Sequence, residues 1–218
     1  MITSAQKLMM ARAGVVSSNT VSYVSDTGRQ NIQATSTLTL PSGIEAGDLV
    51  IVASMGDSAR PEIPTGYTLG QYGSTLSVGY MWAYKVMPSV VDTEATGLSN
   101  SSQITHMAIV FRGSSSTPTV LTPPLINALS SGMPDPPSVS ASNGNMIVCF
   151  GYLDDTTSPA QNDFLAPTGY AFGGASSGVA CSVMGAYLAV TASDTYDPDA
   201  FSGRTTVEPS VGATLVLA

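Results

Sequence analysis

Charge is scarce in this chain. Of 218 residues, seven are Lys or Arg and fifteen are Asp or Glu, which makes 10% charged and a net charge of −8; soluble domains usually carry roughly a quarter. The seven basic residues, Lys7, Arg12, Arg29, Arg60, Lys85, Arg112 and Arg204, are scattered along the chain. A phosphate backbone is held by a clustered basic face, so nucleic acid is not an expected partner. Histidine occurs once, as His106 in a strand-like run, and no Gly-x-Ser-x-Gly elbow accompanies it. No catalytic constellation is visible, and the chain reads as a non-enzyme without cofactors. The two cysteines, Cys149 and Cys181, form no Cys-x-x-Cys or Cys/His cluster, which argues against a structural zinc site. Each lies in an apolar run and reads as a buried thiol, while a disulfide would require their strands to be neighbours. No stretch approaches the roughly 20 apolar residues of a membrane-spanning helix. Lys7 and Arg12 bracket only Leu8, Met9, Met10 and Ala11, too little for the apolar segment of a signal peptide. Synthesis in a cytoplasm, without membrane insertion, is the expectation.

What the chain does have is a near-repetition of itself. Gly47-Asp48-Leu49-Val50-Ile51-Val52 returns as Gly144-Asn145-Met146-Ile147-Val148-Cys149. Pro64-Thr65-Gly66-Tyr67 returns as Pro167-Thr168-Gly169-Tyr170, and Met81-Trp82-Ala83-Tyr84 as Met184-Gly185-Ala186-Tyr187. Ala108 to Phe111 aligns with Ala213 to Val216. The repeated positions that stand out are Gly47, Gly66, Tyr67, Gly144, Gly169 and Tyr170, which build turns and corners. A six-residue insertion separates the first and second spacings, and it is assigned to the loop of residues 151–166, where added length costs little.

Periodicity is that of strands. Leu38 and Leu40 alternate onto one face. Leu49 to Ser54 is continuously apolar, as in a strand covered on both sides. Tyr67 to Tyr72 reads as a short strand ending at Gly73-Ser74, and Leu76 to Met87 as a long one with Val78, Tyr80, Trp82 and Tyr84 on one face. Ile104 to Arg112 closes the first half, and the order recurs in the second. Residues 1–20 form an N-terminal arm, with Ser4 capping a short helix or the segment extended, and residues 21–218 form the body, in related halves 21–113 and 114–218. One half alone would leave an apolar face bare. The expected fold is therefore all-β: an antiparallel sandwich of jelly-roll type, pseudo-symmetric from two related halves.

The series Leu40 to Val52, Pro64 to Leu69, Trp82 to Val86 and Ile109 to Gly113 resembles a family of bacteriophage virion proteins. There a "GDLL" strand is followed by a "PxGW" turn, a "YYK" strand and an "AYRG" strand, repeated in weaker form. Tyr67 and Tyr170 stand where the family often has Trp, and Phe111 where it often has Tyr. The resemblance implies a β-sandwich module of a phage head or tail and no catalytic residues. It leads to a virion structural protein, foremost a capsid decoration or head-attached protein, whose partners are other virion proteins. A monomer docked on a lattice and a homo-oligomer such as a trimer both fit. Lys7, Leu8, Met9, Met10 and Arg12 of the arm are the candidate interface, because apolar side chains on a short terminal segment need a cover. The alternative is a receptor- or glycan-binding tail-fibre or spike module, which would need some of the strand aromatics Tyr67, Tyr72, Tyr80, Trp82, Tyr84, Tyr170 and Tyr187 to be exposed, although alternation with small residues reads them as core. Two acidic groups, Asp194, Asp197 and Asp199, and Asp154, Asp155 and Asp163, read as solvated loops with calcium as the rival reading. Asp57, Arg60 and Glu62 read as ordinary loop charges.

Overall fold

The computed structural model describes residues 19–30, 36–57, 60–98, 103–114, 116–121, 125–154, 163–178, 180–204 and 208–218. Among these there is no α-helix, and nearly all pairing is antiparallel. The strands are β1 (Val21–Asp26), β2 (Arg29–Gln30), β3 (Thr37–Thr39), β4 (Leu49–Asp57), β5 (Thr68–Thr75), β6 (Val78–Val86), β7 (Glu94–Thr96), β8 (Ile104–Gly113), β9 (Leu125–Leu129), β10 (Val139–Ala141), β11 (Met146–Asp154), β12 (Ala171–Ser177), β13 (Cys181–Ala189), β14 (Asp194–Tyr196) and β15 (Ser210–Leu217). A five-stranded sheet has the order β1-β8-β4-β6-β5, and a six-stranded sheet the order β2-β12-β13-β11-β15-β9. Two ribbons, β3-β7 and β10-β14, complete the all-β, sandwich-like architecture.

Alternation along each strand decides where it buries its side chains. Leu49, Ile51, Ala53 and Met55 of β4, with Tyr80 and Trp82 of β6 and Ile109 and Phe111 of β8, point inward. There they meet Met146, Val148, Phe150 and Tyr152 of β11 and Leu215 and Leu217 of β15 in one cluster shared by both sheets. The even residues of β4 and β8, Val50, Val52, Ala108 and Val110, face the other way, under Leu38, Leu40 and Ala95 of the β3-β7 ribbon. Ile147, Cys149 and Val216 are covered likewise by Val139, Ala141 and Tyr196 of the β10-β14 ribbon. The continuous apolar runs of β4 and β11 follow from burial on both faces.

Polar and aromatic contacts tie the sheets together. The Tyr152 hydroxyl donates to the Met81 carbonyl at 3.3 Å, reaching across the core. Thr105 Oγ1 and Ser176 Oγ lie 2.6 Å apart, one from each sheet. Tyr23 of β1 stacks on Tyr187 of β13 with ring centroids 4.4 Å apart, and Phe111 meets the same ring edge-on. The chain itself crosses over at Gly28, with φ of 69°, so that β1 extends one sheet and β2 runs parallel to β12 in the other.

Three expectations change. The hairpin turn lies at Leu76 and Ser77, both at positive φ (50° and 73°), and not at Gly73-Ser74; β5 therefore runs to Thr75 and β6 begins at Val78. Gly73 sits within β5, directly opposite Tyr80, whose ring lies over it. The correspondence between the repeated strands β8 and β15 shifts by one residue. Leu49 faces Phe111 while Met146 faces Leu217, so Phe111 corresponds to Leu217 and not to Val216. A one-residue slip would send every side chain to the opposite face. Third, the insertion lies beyond Asp154, because β11 runs to that residue and matches β4 to its end at Asp57.

Trp82 lies over Gly70, where β5 bulges, and a Cβ at Gly70 would overlap its ring. Gly70→Ala is expected to lower the unfolding free energy by about 2 kcal/mol through overpacking. Trp82 is the single tryptophan and 1% exposed, so urea melts followed by its fluorescence measure this directly. An unchanged midpoint would show that the ring has room to move.

Candidate interaction surfaces and the repeated corners

The repeated residues sit at two equivalent corners. Gly47 and Gly144 have φ of 89° and 90°, a conformation that favours glycine. The Gly47 N–H donates to the Met87 carbonyl at 2.9 Å, and the Gly144 N–H to the Val190 carbonyl at 2.9 Å. Asp48 Oδ2 accepts from the Glu45 N–H at 2.8 Å, as Asn145 Oδ1 accepts from the Ser142 N–H at 2.8 Å. At the second corner Gly66 and Gly169 have φ of 79° and 84°, and Tyr67 and Tyr170 donate their backbone N–H to Pro64 and Pro167 at 3.1 and 3.0 Å. The Tyr67 and Tyr170 rings pack under the outer clusters, and both hydroxyls are buried without a hydrogen-bond partner. Burial pushes both phenols up, with Asp92 adding to it at Tyr67 and Cys149, Tyr196 and Asp197 at Tyr170. Both are therefore neutral at physiological pH.

The corners differ in charge. Asp48, 1% exposed, takes bonds from Arg112 Nε at 2.7 Å and Nη2 at 2.8 Å. Arg112 also donates to the Gly43 carbonyl and meets Glu45 at 3.1 Å. Burial alone would raise the Asp48 carboxyl, but the Arg112 bonds, the Glu45 N–H and the guanidinium charge together outweigh it and hold the carboxyl below its ordinary value. In the other half Asn145 replaces Asp48. By the corrected register Ala218 follows Leu217 as Arg112 follows Phe111, so acid and base are missing together.

No group of three or more His, Cys, Asp and Glu side chains converges among the described residues. The three carboxylates of the acidic loop do not converge: Asp194 Oδ1 accepts from the Thr195 N–H, while Asp197 and Asp199 lie near Asp135, whose carboxyl is raised first by burial and then by their charge. Asp154 ends β11, and Asp155 is outside the described residues. His106 is fully buried on the outer face of the first sheet, with Nδ1 2.8 Å from Ser54 Oγ. Cys149 and Cys181 are both buried thiols that form no disulfide, and they face opposite sides of their sheet, Cys149 outward and Cys181 into the shared core. Burial raises the Cys149 thiol, only partly offset by Thr214. Lys7, Leu8, Met9, Met10 and Arg12 lie outside the described residues.

Two strand edges expose large apolar or aromatic side chains among the described residues. On the β5 edge, Tyr72 is 45% exposed with the Arg60 guanidinium 4.0 Å above its ring, beside Glu62 and Ile63 in a shallow cleft. On the β9 edge Leu121, Leu125 and Ile126 are exposed. Sequence reasoning placed the aromatic Tyr72 on a strand and named no strand at β9. No family model, curated protein or solved structure matches this chain.

Asp48→Ala is expected to cost about 1–3 kcal/mol, since it leaves the Glu45 N–H without an acceptor and Arg112 with only the exposed Glu45 carboxylate. The Asp48→Asn/Arg112→Ala double variant, which copies the second corner, should be more stable than the two single effects added together; additive urea midpoints would show the pair uncoupled. Because the folded Asp48 carboxyl titrates below the unfolded one, its contribution is complete above the ordinary value of 3.8 and is lost as pH falls below that value through the folded one. Wild type should lose stability over that acid range faster than the double variant. Native protein should also show no fast-reacting thiol toward an aromatic disulfide reagent, with both thiols appearing on denaturation.

Proposed function

We propose that this chain is a phage virion structural protein, foremost a capsid decoration or head-attached protein, which binds the particle without catalysis. The observation that carries the reading is the role of the motifs behind the resemblance. The Gly-Asp/Gly-Asn and Pro-Thr-Gly-Tyr segments are strand-entry corners whose glycines and backbone hydrogen bonds recur in both halves. They build a scaffold and present no reactive group. The finer fold belongs to this proposal: one cooperative, pseudo-symmetric sandwich of jelly-roll type, in which each half covers its own outer face with a ribbon and its inner face with the other half. Contact with the virion is assigned to Lys7, Leu8, Met9, Met10 and Arg12 of the arm and to strand edges, with synthesis in the host cytoplasm.

Co-sedimentation with purified heads and tails of the encoding phage tests this. Full-length protein should pellet with heads, and deletion of residues 1–18 should weaken binding. Retained binding after the deletion would move the contact from the arm to the body. Failure to bind either particle would overturn the reading.

One observation favours the second reading, a receptor- or glycan-binding module. Tyr72 and Arg60 form an exposed aromatic and cationic pair in a shallow cleft, a combination suited to stacking on a sugar ring. That reading expects glycan-array hits that Tyr72→Ala removes, and an array without hits counts against it.

A further inference from the structure

Most cations described here serve the fold. Arg29 donates to the Phe164 carbonyl, Lys85 pairs with Asp92, and Arg112 pairs with Asp48. Arg60 does not: it is exposed, and among the described residues its guanidinium makes no hydrogen bond or ion pair. What holds it is the Tyr72 ring, with 4.0 Å from the guanidinium carbon to the ring centroid. That contact locates the fork of N–H groups and leaves their hydrogen-bonding capacity for a ligand. Glu62 lines the same cleft and likewise forms no ion pair, although Arg60 stands two residues before it. Ile63, 41% exposed, supplies an apolar wall. The cleft measures about 370 Å³, at the small end of the range for ligand pockets, which suits roughly one or two sugar rings.

We infer, building on the glycan-binding reading, that this cleft takes an acidic sugar whose carboxylate is held by Arg60. A carboxylate accepts two parallel N–H bonds from a planar guanidinium, so the fork and the ligand match in shape as well as charge. Ring hydroxyls donate to the Glu62 carboxylate, and a C–H face of the ring lies against Ile63. Glu62 also selects against other anions. A phosphate dianion would bring more negative charge toward it, and a polyanion would meet a chain of net charge −8. A neutral sugar leaves the guanidinium without a carboxylate. An acidic peptide supplies the carboxylate but brings no ring of hydroxyl donors to Glu62.

Amide-resolved NMR titration of the full chain with methyl β-D-glucuronide tests this, beside methyl β-D-glucoside, the same ring without the carboxylate. The glucuronide is expected to shift amides around Arg60 and Tyr72 with a Kd on the order of 1 mM, since a single sugar in an open cleft binds weakly. The glucoside should bind at least about tenfold more weakly. Arg60→Lys keeps the charge and loses the fork, so it should weaken the glucuronide about tenfold with unchanged circular dichroism. Equal affinity for the two sugars, or a glucuronide Kd unmoved by Arg60→Lys, would overturn the inference while leaving a neutral-glycan site standing. N-acetylglutamate binding as tightly as the glucuronide would overturn it in favour of a peptide carboxylate. Absence of shifts with either sugar up to about 20 mM would overturn it too; array hits that Tyr72→Ala removes would then show that the broader glycan reading survives.

Discussion

The shared inner core is the constraint on which the rest depends. Each large sheet is apolar on both faces, and each outer face is sealed by its own ribbon: Leu38, Leu40 and Ala95 over one sheet, Val139, Ala141 and Tyr196 over the other. The inner faces have no such cover. Leu49, Ile51 and Trp82 are excluded from water only because Val148, Phe150 and Leu215 stand opposite. Burial of a large apolar side chain contributes on the order of 2 kcal/mol, so separating the sheets would expose the largest single store of stabilisation in the molecule. The cross-sheet contacts, Tyr152 to Met81 and Thr105 to Ser176, orient this packing more than they drive it.

Scarcity of charge follows from the same layering. With four layers stacked and most central strands buried on both faces, few positions can hold an unpaired charge. Among the described residues the one carboxylate taken almost fully out of solvent, Asp48, is held by Arg112 and a backbone N–H. The corresponding corner at Asn145 keeps the backbone bond and dispenses with the ion pair. The corner geometry therefore rests on the shared N–H acceptor and the left-handed glycine, and the charge pair is an addition to one half.

Much of the fold was legible because strand periodicity and glycine chemistry act locally. Leu49 to Ser54 declared a doubly buried strand, and the paired Gly47 and Gly144 marked equivalent turns, both at φ near 90°. The failures have physical causes. Leu76 and Ser77 are not residues that announce positive φ, whereas Gly73-Ser74 has the composition of a turn although its glycine serves to make room for Tyr80. The β8/β15 register could not be read from similarity alone, since Ala108-Ile109 resembles Ala213-Thr214 although cross-strand pairing matches Ile109 to Leu215. β9 was hidden because its side chains do not alternate in polarity; both faces are partly exposed. As for the surfaces, sequence could place Tyr72 among seven strand aromatics and could not tell that it is the exposed one of them. It could not show that Arg60 lies over it, a contact that loop geometry decides.

The position of β15 sets a timetable for biosynthesis. The first sheet has all its strands once Gly113 has emerged, but its inner face stays bare until the second sheet forms, and β15, between β11 and β9, is the last strand to arrive, ending at Leu217. At ribosomal rates of about 5–20 residues per second, that wait lasts roughly 5–20 s. For that interval the nascent chain presents Leu49, Ile51, Trp82 and Phe111 to water, so the risk of aggregation is concentrated before β15 is made.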